Sequence, residues 1–310
     1  MKKMTNHIME LFNSFSTPEA FHRVNPNYKL DVYVGINSFG QYTMTLVSTD
    51  KPSRIDSTTY ISTKIGQRKD KKWAMSFSLE NDDMLDVFST ICEDLVESSK
   101  DCKTEQARIK FFVSRYNEWI KILKAKKPTI LSIMEIKGLI GELTFLKEFL
   151  SKKYGLIVAI NSWIGSDNAD QDFVCSDCWY EVKSTVSGTE NVHISSIEQL
   201  DTNSDGKLVI VYLDKTSQED KTRINLNSIT EEIVSLLDDD LIIEKFKNNL
   251  LKRGYFYSEI YDEYNFKLNG IQKYYVDKSF PCLRKKSLPD SVTNVTYELI
   301  LNGITNYLED

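Results

Sequence analysis

The chain lacks most of the marks by which an activity is usually read. No apolar run approaches the roughly 20 residues of a membrane-spanning helix, and MKKMTNHIMELFNSFS interrupts its apolar stretch at Glu10 and Asn13, too early for a signal-peptide core. There is no G-x-x-x-x-G-K-[ST] phosphate loop, no G-x-G-x-x-G after a strand, no H-E-x-x-H and no G-x-S-x-G; GINSFG has its serine in the wrong place. ATP-driven and serine-hydrolase chemistry therefore find no support. The five cysteines are odd in number and scattered, with only Cys175 and Cys178 close together, so neither a disulfide framework nor a four-ligand zinc site is indicated. That C-x-x-C straddles a predicted hairpin turn and does not open a helix, which is poor placement for redox chemistry. The expectation is a soluble, cytoplasmic protein with free thiols.

What is present is enough for a sizeable core: 310 residues, 41% hydrophobic. A net charge of −6 argues against a surface coated by nucleic acid and leaves room for a local basic groove. After a short helix, residues 28–87 read as an antiparallel meander, with YKLDVYVGI and QYTMTLVS around NSFG, then STTYISTKI and KWAMSFSL around GQRKDKK. The spacing turns helical from Met84 to about residue 126, and Pro128 breaks it. The middle carries a helix (IMEIKGLIGELTFLKEFLSKKYG), a strand (LIVAI), a loop, a hairpin (QDFVCSDCWYEVKST), a strand (NVHIS), a helix from about Ser196 and a buried-type strand (KLVIVYL). An α/β tail follows. This predicts an α/β (α+β) fold in three segments: a β-rich plus helical domain over 1–126, a core over 127–215, and an extension over 216–310.

The hairpin poses the chemical question. Folded about Ser176 and Asp177, it pairs Val174 with Trp179, Phe173 with Tyr180, and Asp172 with Glu181, so that two carboxylates oppose each other. Alternation puts Lys183 on the face of Glu181. A divalent cation would resolve the repulsion. In GLIGELTFL on the preceding helix, Glu142 lies on or beside the stripe of Leu139, Leu143 and Leu146, an expensive place for an acid unless it is paired or metal-bound. It is a third carboxylate within reach of the site. Carboxylates, a backbone carbonyl and waters are hard oxygen ligands suited to Mg²⁺ or Mn²⁺.

Glu142, Asp172 and the EVK of Glu181 to Lys183, in the order helix, strand, hairpin, strand, helix, strand, resemble the PD-(D/E)xK phosphodiesterase superfamily. Further stretches (W then DF, EVKS, HISS..QL, FP and TYELIL) are similar to a bacterial group of PD-(D/E)xK proteins often associated with phage-defence and restriction gene clusters. Gln171 stands where the superfamily name has proline. The resemblance implies a restriction-endonuclease-like mixed sheet flanked by helices, and a Mg²⁺-dependent DNA endonuclease (Mn²⁺ able to substitute). It assigns the metal to Asp172, Glu181, the Val182 carbonyl and Glu142, charge stabilisation or water activation to Lys183, and an accessory polar role to Gln199. DNA is the implied partner, in a homodimer or beside partner proteins, since a duplex needs two cuts. A noncatalytic DNA-binding scaffold subunit of a defence complex and an RNA nuclease on the same core are the alternatives.

Other residues have plainer readings. Ser195 and Glu198 fit a helix capping box, His193 a structural strand histidine, and Trp163 a core or loop anchor. Asp167 and Asp170 fit a loop, with Asp170 the reserve ligand should the register differ. The basic stretches Lys121–Lys127, Arg68–Lys72 and Arg284–Lys286 are candidate phosphate contacts.

Overall fold

The protein is described here by a computed structural model that covers residues 7–100, 102–125, 129–165, 170–202, 204–292 and 294–309. It divides into two compact units, 1–130 with 238–260, and 131–237 with 261–310. This division differs from the three sequence segments: residues 238–260 join the amino-terminal unit and the rest of the tail joins the middle. Among the described residues no helix is long and apolar enough to cross a membrane.

The first unit opens with α1 (His7–Ser14), then β1 (Phe21–Arg23), β2 (Asp31–Ile36), β3 (Tyr42–Ser48), β4 (Ile61–Gln67) and β5 (Trp73–Leu79). Helices α2 (Leu85–Ser99) and α3 (Glu105–Ala125) follow. The NSFG turn forms because the Asn37 side chain accepts the N–H groups of Phe39 and Gln41 at 2.9 and 3.0 Å. The expected meander needs correction: the strand order is β1-β2-β3-β5-β4, so β5 inserts between β3 and β4, and β4 is an edge. One sheet face supplies Val32, Val34, Met44, Leu46, Met75 and Phe77 to a core shared with Phe88, Ile91, Phe112 and Trp119 of the helices.

The later helix α8 (Asp240–Lys252) belongs to this unit because buried polar groups tie it there. Lys247 Nζ donates to the Ser98 carbonyl at 2.6 Å, and the Arg115 guanidinium donates to the Lys247 carbonyl. Arg115 also pairs with Asp94 at 2.8 Å, and Trp119 donates to the same carboxylate at 2.7 Å.

In the second unit, α4 (Ile133–Phe145) starts at a capping box: Glu135 N–H donates to Ser132 Oγ, while Glu135 Oε2 accepts Ser132 N–H at 2.8 Å. The helix continues through a π turn (Leu146–Leu150) into α5 (Ser151–Tyr154). Gly155, at φ +86°, stops it. LIVAI then forms the helix α6 (Leu156–Ser162), not the expected strand. Its burial explains why: Ala159 and Ile160 are inside while Ile157 and Val158 are exposed, a helical distribution and not an alternating one.

Next come β6 (Phe173–Val174), β7 (Trp179–Thr185), β8 (Asn191–Ile194), β9 (Gly206–Lys215), α7 (Leu226–Ser235), β10 (Phe266–Val276) and β11 (Tyr297–Ile300). The four-stranded sheet has the order β10-β9-β7-β6 and is mixed, with β7 parallel to β9 and the other pairs antiparallel. Strands β8 and β11 pair separately. Helix α4 packs directly on β7 and β9. A Cβ at Gly141 would lie 1.8 Å from Ser184 Oγ, so only glycine lets helix and strand approach this closely. That approach sets Glu142, the next residue, against the hairpin.

Candidate active site

The hairpin has the register read from the sequence. Phe173 pairs with Tyr180 and Val174 with Trp179, and Cys175 N–H donates to the Cys178 carbonyl at 2.9 Å. The ladder ends at Phe173, so the expected Asp172–Glu181 pair is not formed. Asp172 turns out of it: its carbonyl accepts the N–H groups of Ile164 and Gly165 at 3.0 and 3.1 Å, and its Oδ2 accepts Val182 N–H at 2.9 Å. The carboxylate thus takes the place of a strand partner on the edge of β7. A Cβ at Gly165 would stand 3.0 Å from Asp172 Oδ1, so this glycine lets the loop close on the acid.

Glu181 is 2% exposed and Glu142 4%. Lys183 Nζ lies 2.8 Å from Glu181 Oε1 and donates to Gln199 Oε1 at 2.9 Å. Gln199 Oε1 also accepts Ser195 N–H at 2.9 Å, which ties the lysine to the backbone at the end of β8. Glu142 Oε2 accepts the Trp163 indole N–H at 2.8 Å, in a fully buried contact. Glu142, Asp172, Glu181, Val182, Lys183 and Gln199 are thus brought together by α4, the hairpin and the turn after β8.

The electrostatics are those of crowded acids. Burial pushes the Glu181 carboxyl well above the usual range; Asp172 and Glu142 push it further, and the adjacent Lys183 ammonium opposes them without prevailing. Glu181 Oε2 is buried and has no hydrogen-bond partner. An unpartnered carboxylate oxygen beside two other carboxylates suits a cation, and an all-oxygen donor set fits Mg²⁺ or Mn²⁺. Among the described residues no three acidic, histidine or cysteine side chains are placed so that together they could hold a metal ion. Trp163 donates to Glu142 and the Val182 N–H to Asp172, which orients both carboxylates.

His193, read as a structural strand histidine, is exposed and its Nδ1 lies 2.9 Å from Glu298 Oε1 on the paired strand β11. Several other sequence readings change. The Ser195–Glu198 capping box is not formed; a 3₁₀ turn over Ile197–Gln199 replaces the expected helix, and its cap residue Ser196 makes no side-chain cap bond. Asp170 is exposed, while Asp167 lies outside the described residues. Of the basic stretches, Lys126 and Lys127 lie outside the described residues, and Arg284 is engaged with Asp201 at 3.2 Å and the Asp277 carbonyl at 2.7 Å. Trp163 gains a role that sequence did not give it, since its partner is 21 residues away.

A mixed sheet, a carboxylate-bearing hairpin and a helix carrying a third acid define a protein of the PD-(D/E)XK class. The family model described as "Putative PD-(D/E)XK family member, (DUF4420)" matches residues 8–302, and the chain belongs to that family. No curated protein and no solved structure matches it.

Proposed function

We propose that the chain is a Mg²⁺-dependent DNA endonuclease with a restriction-endonuclease-like core, acting in restriction or phage defence. The observation that carries this reading is the buried, unpartnered Glu181 oxygen amid Asp172, Glu142 and Lys183. A folded protein that leaves such an oxygen without a donor accepts a stability cost of about 1–3 kcal/mol, and a site for a cation explains that cost.

Asp172, Glu181, the Val182 carbonyl and Glu142 would hold Mg²⁺, or Mn²⁺ in its place. The bound ion supplies Lewis-acid polarisation of the scissile phosphate and a more acidic water. Lys183 carries a fixed positive charge, held by Glu181 and Gln199 and so oriented before substrate arrives. Its ammonium offsets the negative charge that builds on the phosphate, or takes part in placing the attacking water. Gln199 holds the ammonium through an oxygen anchored on the Ser195 N–H. Trp163 fixes one Glu142 oxygen through its indole N–H and so orients the carboxylate. One hairpin makes one cut, so duplex cleavage requires a homodimer, partner proteins or repeated nicking.

The reading is tested on labelled DNA and RNA in parallel, with Mg²⁺, Mn²⁺ or EDTA. The expected result is metal-dependent cutting of DNA that EDTA abolishes. Cutting of RNA alone would select the RNA nuclease, and DNA retention without cutting under any metal would select the scaffold subunit.

A further inference from the structure

Outside the candidate active site, the feature that calls for a partner is the outer face of the five-stranded sheet. Its inner face is apolar and packed. The residues of the other parity form continuous cross-strand rows. One runs Arg23, Tyr33, Thr45, Ser76, Lys64 across all five strands. The next runs Phe21, Gly35, Thr43, Ser78, Ser62. Hydroxyls bond across this face, Thr43 to Ser78 at 2.8 Å and Thr45 to Ser76 at 2.9 Å, which keeps its centre low and hydrophilic.

Cations stand at both margins. Arg23 is on β1 and Lys64 on β4; Arg68 and Lys72, joined by an Arg68 N–H to Lys72 carbonyl bond of 2.8 Å, extend the β4–β5 ladder beyond its strands. Arg23 pairs with Asp31 at 3.2 Å and Arg68 with Asp70 at 3.2 Å, both half-exposed, while Lys64 and Lys72 are exposed. Glu19 and Glu80 stand at the far ends of the same face, but at the β4–β5 turn Arg68, Lys69, Lys71 and Lys72 face the single Asp70, which makes this end positive on a chain whose net charge is −6. Burial and Asp31 raise the pKa of the Tyr33 hydroxyl against the pull of Arg23 and Arg68. A Cβ built on Gly66, beside Lys64, would meet nothing within 4 Å, so the face is open there.

Val47 and Ala74 lie in the next row, but the two rows above carry hydroxyls, a more polar centre than a protein footprint usually has. Five strands at about 4.8 Å spacing span about 19 Å, a length over which one strand of duplex DNA carries about five phosphates. Phosphates fit the marginal cations, the half-buried hydroxyls of Thr45, Ser76 and Ser62 accept or donate to phosphate and sugar, and Tyr33 and the exposed Phe21 offer rings to bases. We infer that this sheet face is a DNA-docking surface, contacting the phosphate backbone through Arg23, Lys64, Arg68 and Lys72. The inference rests on the nuclease reading for the identity of its polymer.

The test measures binding of the full chain to fluorescent duplex and single-stranded DNA in EDTA, where no cutting occurs, between 50 and 200 mM salt. Compared with wild type are Lys64→Gln/Arg68→Gln/Lys72→Gln, the separate variant Gly66→Glu, which adds charge and bulk to the open patch, and the control Lys152→Gln. The expected result is weaker binding by the triple variant at every salt concentration, with the duplex salt slope lower by about 2 to 3. Gly66→Glu should also bind more weakly, and the control should match wild type. Folded variants with wild-type affinity and slope would overturn the docking surface and leave the nuclease reading standing. A wild type that binds neither DNA form would overturn both.

Discussion

Replacing Glu181 by Gln should make the metal-free protein more stable and the metal response smaller. In the wild type Oε2 is buried without a donor, and an unsatisfied buried oxygen costs about 1–3 kcal/mol. Asp172 and Glu142 add repulsion once Glu181 is ionised, and Lys183 only partly offsets it. A neutral amide removes the repulsion and surrenders the Lys183 ion pair, so a net gain of about 1 kcal/mol is expected. The pH dependence has a definite sign. Glu181 is an acid whose folded pKa lies above the unfolded value of about 4.5, so below that value both states are protonated and there is no cost. As the pH rises the unfolded chain ionises first, and stability falls until the folded carboxyl has ionised too. The gain in Glu181→Gln should therefore be absent near pH 4 and full above the raised pKa. Hydrogen exchange of the β7 amides in EDTA reads it locally. Added Mg²⁺ at ten times its dissociation constant should stabilise wild type by about 1.4 kcal/mol and the variant much less. A folded variant with unchanged or reduced β7 protection, or with the full Mg²⁺ response, would refute the reasoning.

Other perturbations have equally definite outcomes. Trp163→Phe removes the indole donor to Glu142, and metal-dependent cleavage should fall by about 10–100-fold with the fold intact, as judged by circular dichroism. Gly141→Ala puts a carbon against Ser184 and should cost about 1–3 kcal/mol in urea unfolding, partly recovered in Gly141→Ala/Ser184→Ala. Burial raises the Asp94 pKa, but Arg115, Trp119 and Ser98 together bring it below the usual carboxylate value, so its contribution is present above about pH 4 and is lost as the pH falls through the folded pKa. Arg115→Met should cost about 3–5 kcal/mol at neutral pH and flatten that acid limb, as measured by unfolding between pH 3 and 7.

The hairpin turn was legible in the sequence. The turn centre at Ser176 and Asp177 fixes the Val174–Trp179 and Phe173–Tyr180 pairs, but not the Asp172–Glu181 pair, because Asp172 leaves the strand and its carboxylate takes the Val182 N–H. Helical spacing put Glu142 beside a core stripe, and its buried position follows. LIVAI was illegible because five apolar residues fit a strand or a helix, and the choice turned on Gly155 restarting the helix. The Ser195–Glu198 pattern misled because Gln199 Oε1 takes the Ser195 N–H. The Trp163–Glu142 bond and the placement of α8 beside α3 depend on contacts between distant stretches, which local periodicity does not encode.

If Asp172, Glu181 and Lys183 form a metal-dependent cleavage site, supercoiled plasmid in Mg²⁺ should be nicked by wild type, not nicked in EDTA, and not nicked by Asp172→Ala or Lys183→Ala, each first shown to be folded and to bind DNA in EDTA. Undiminished nicking by both variants would rule that site out.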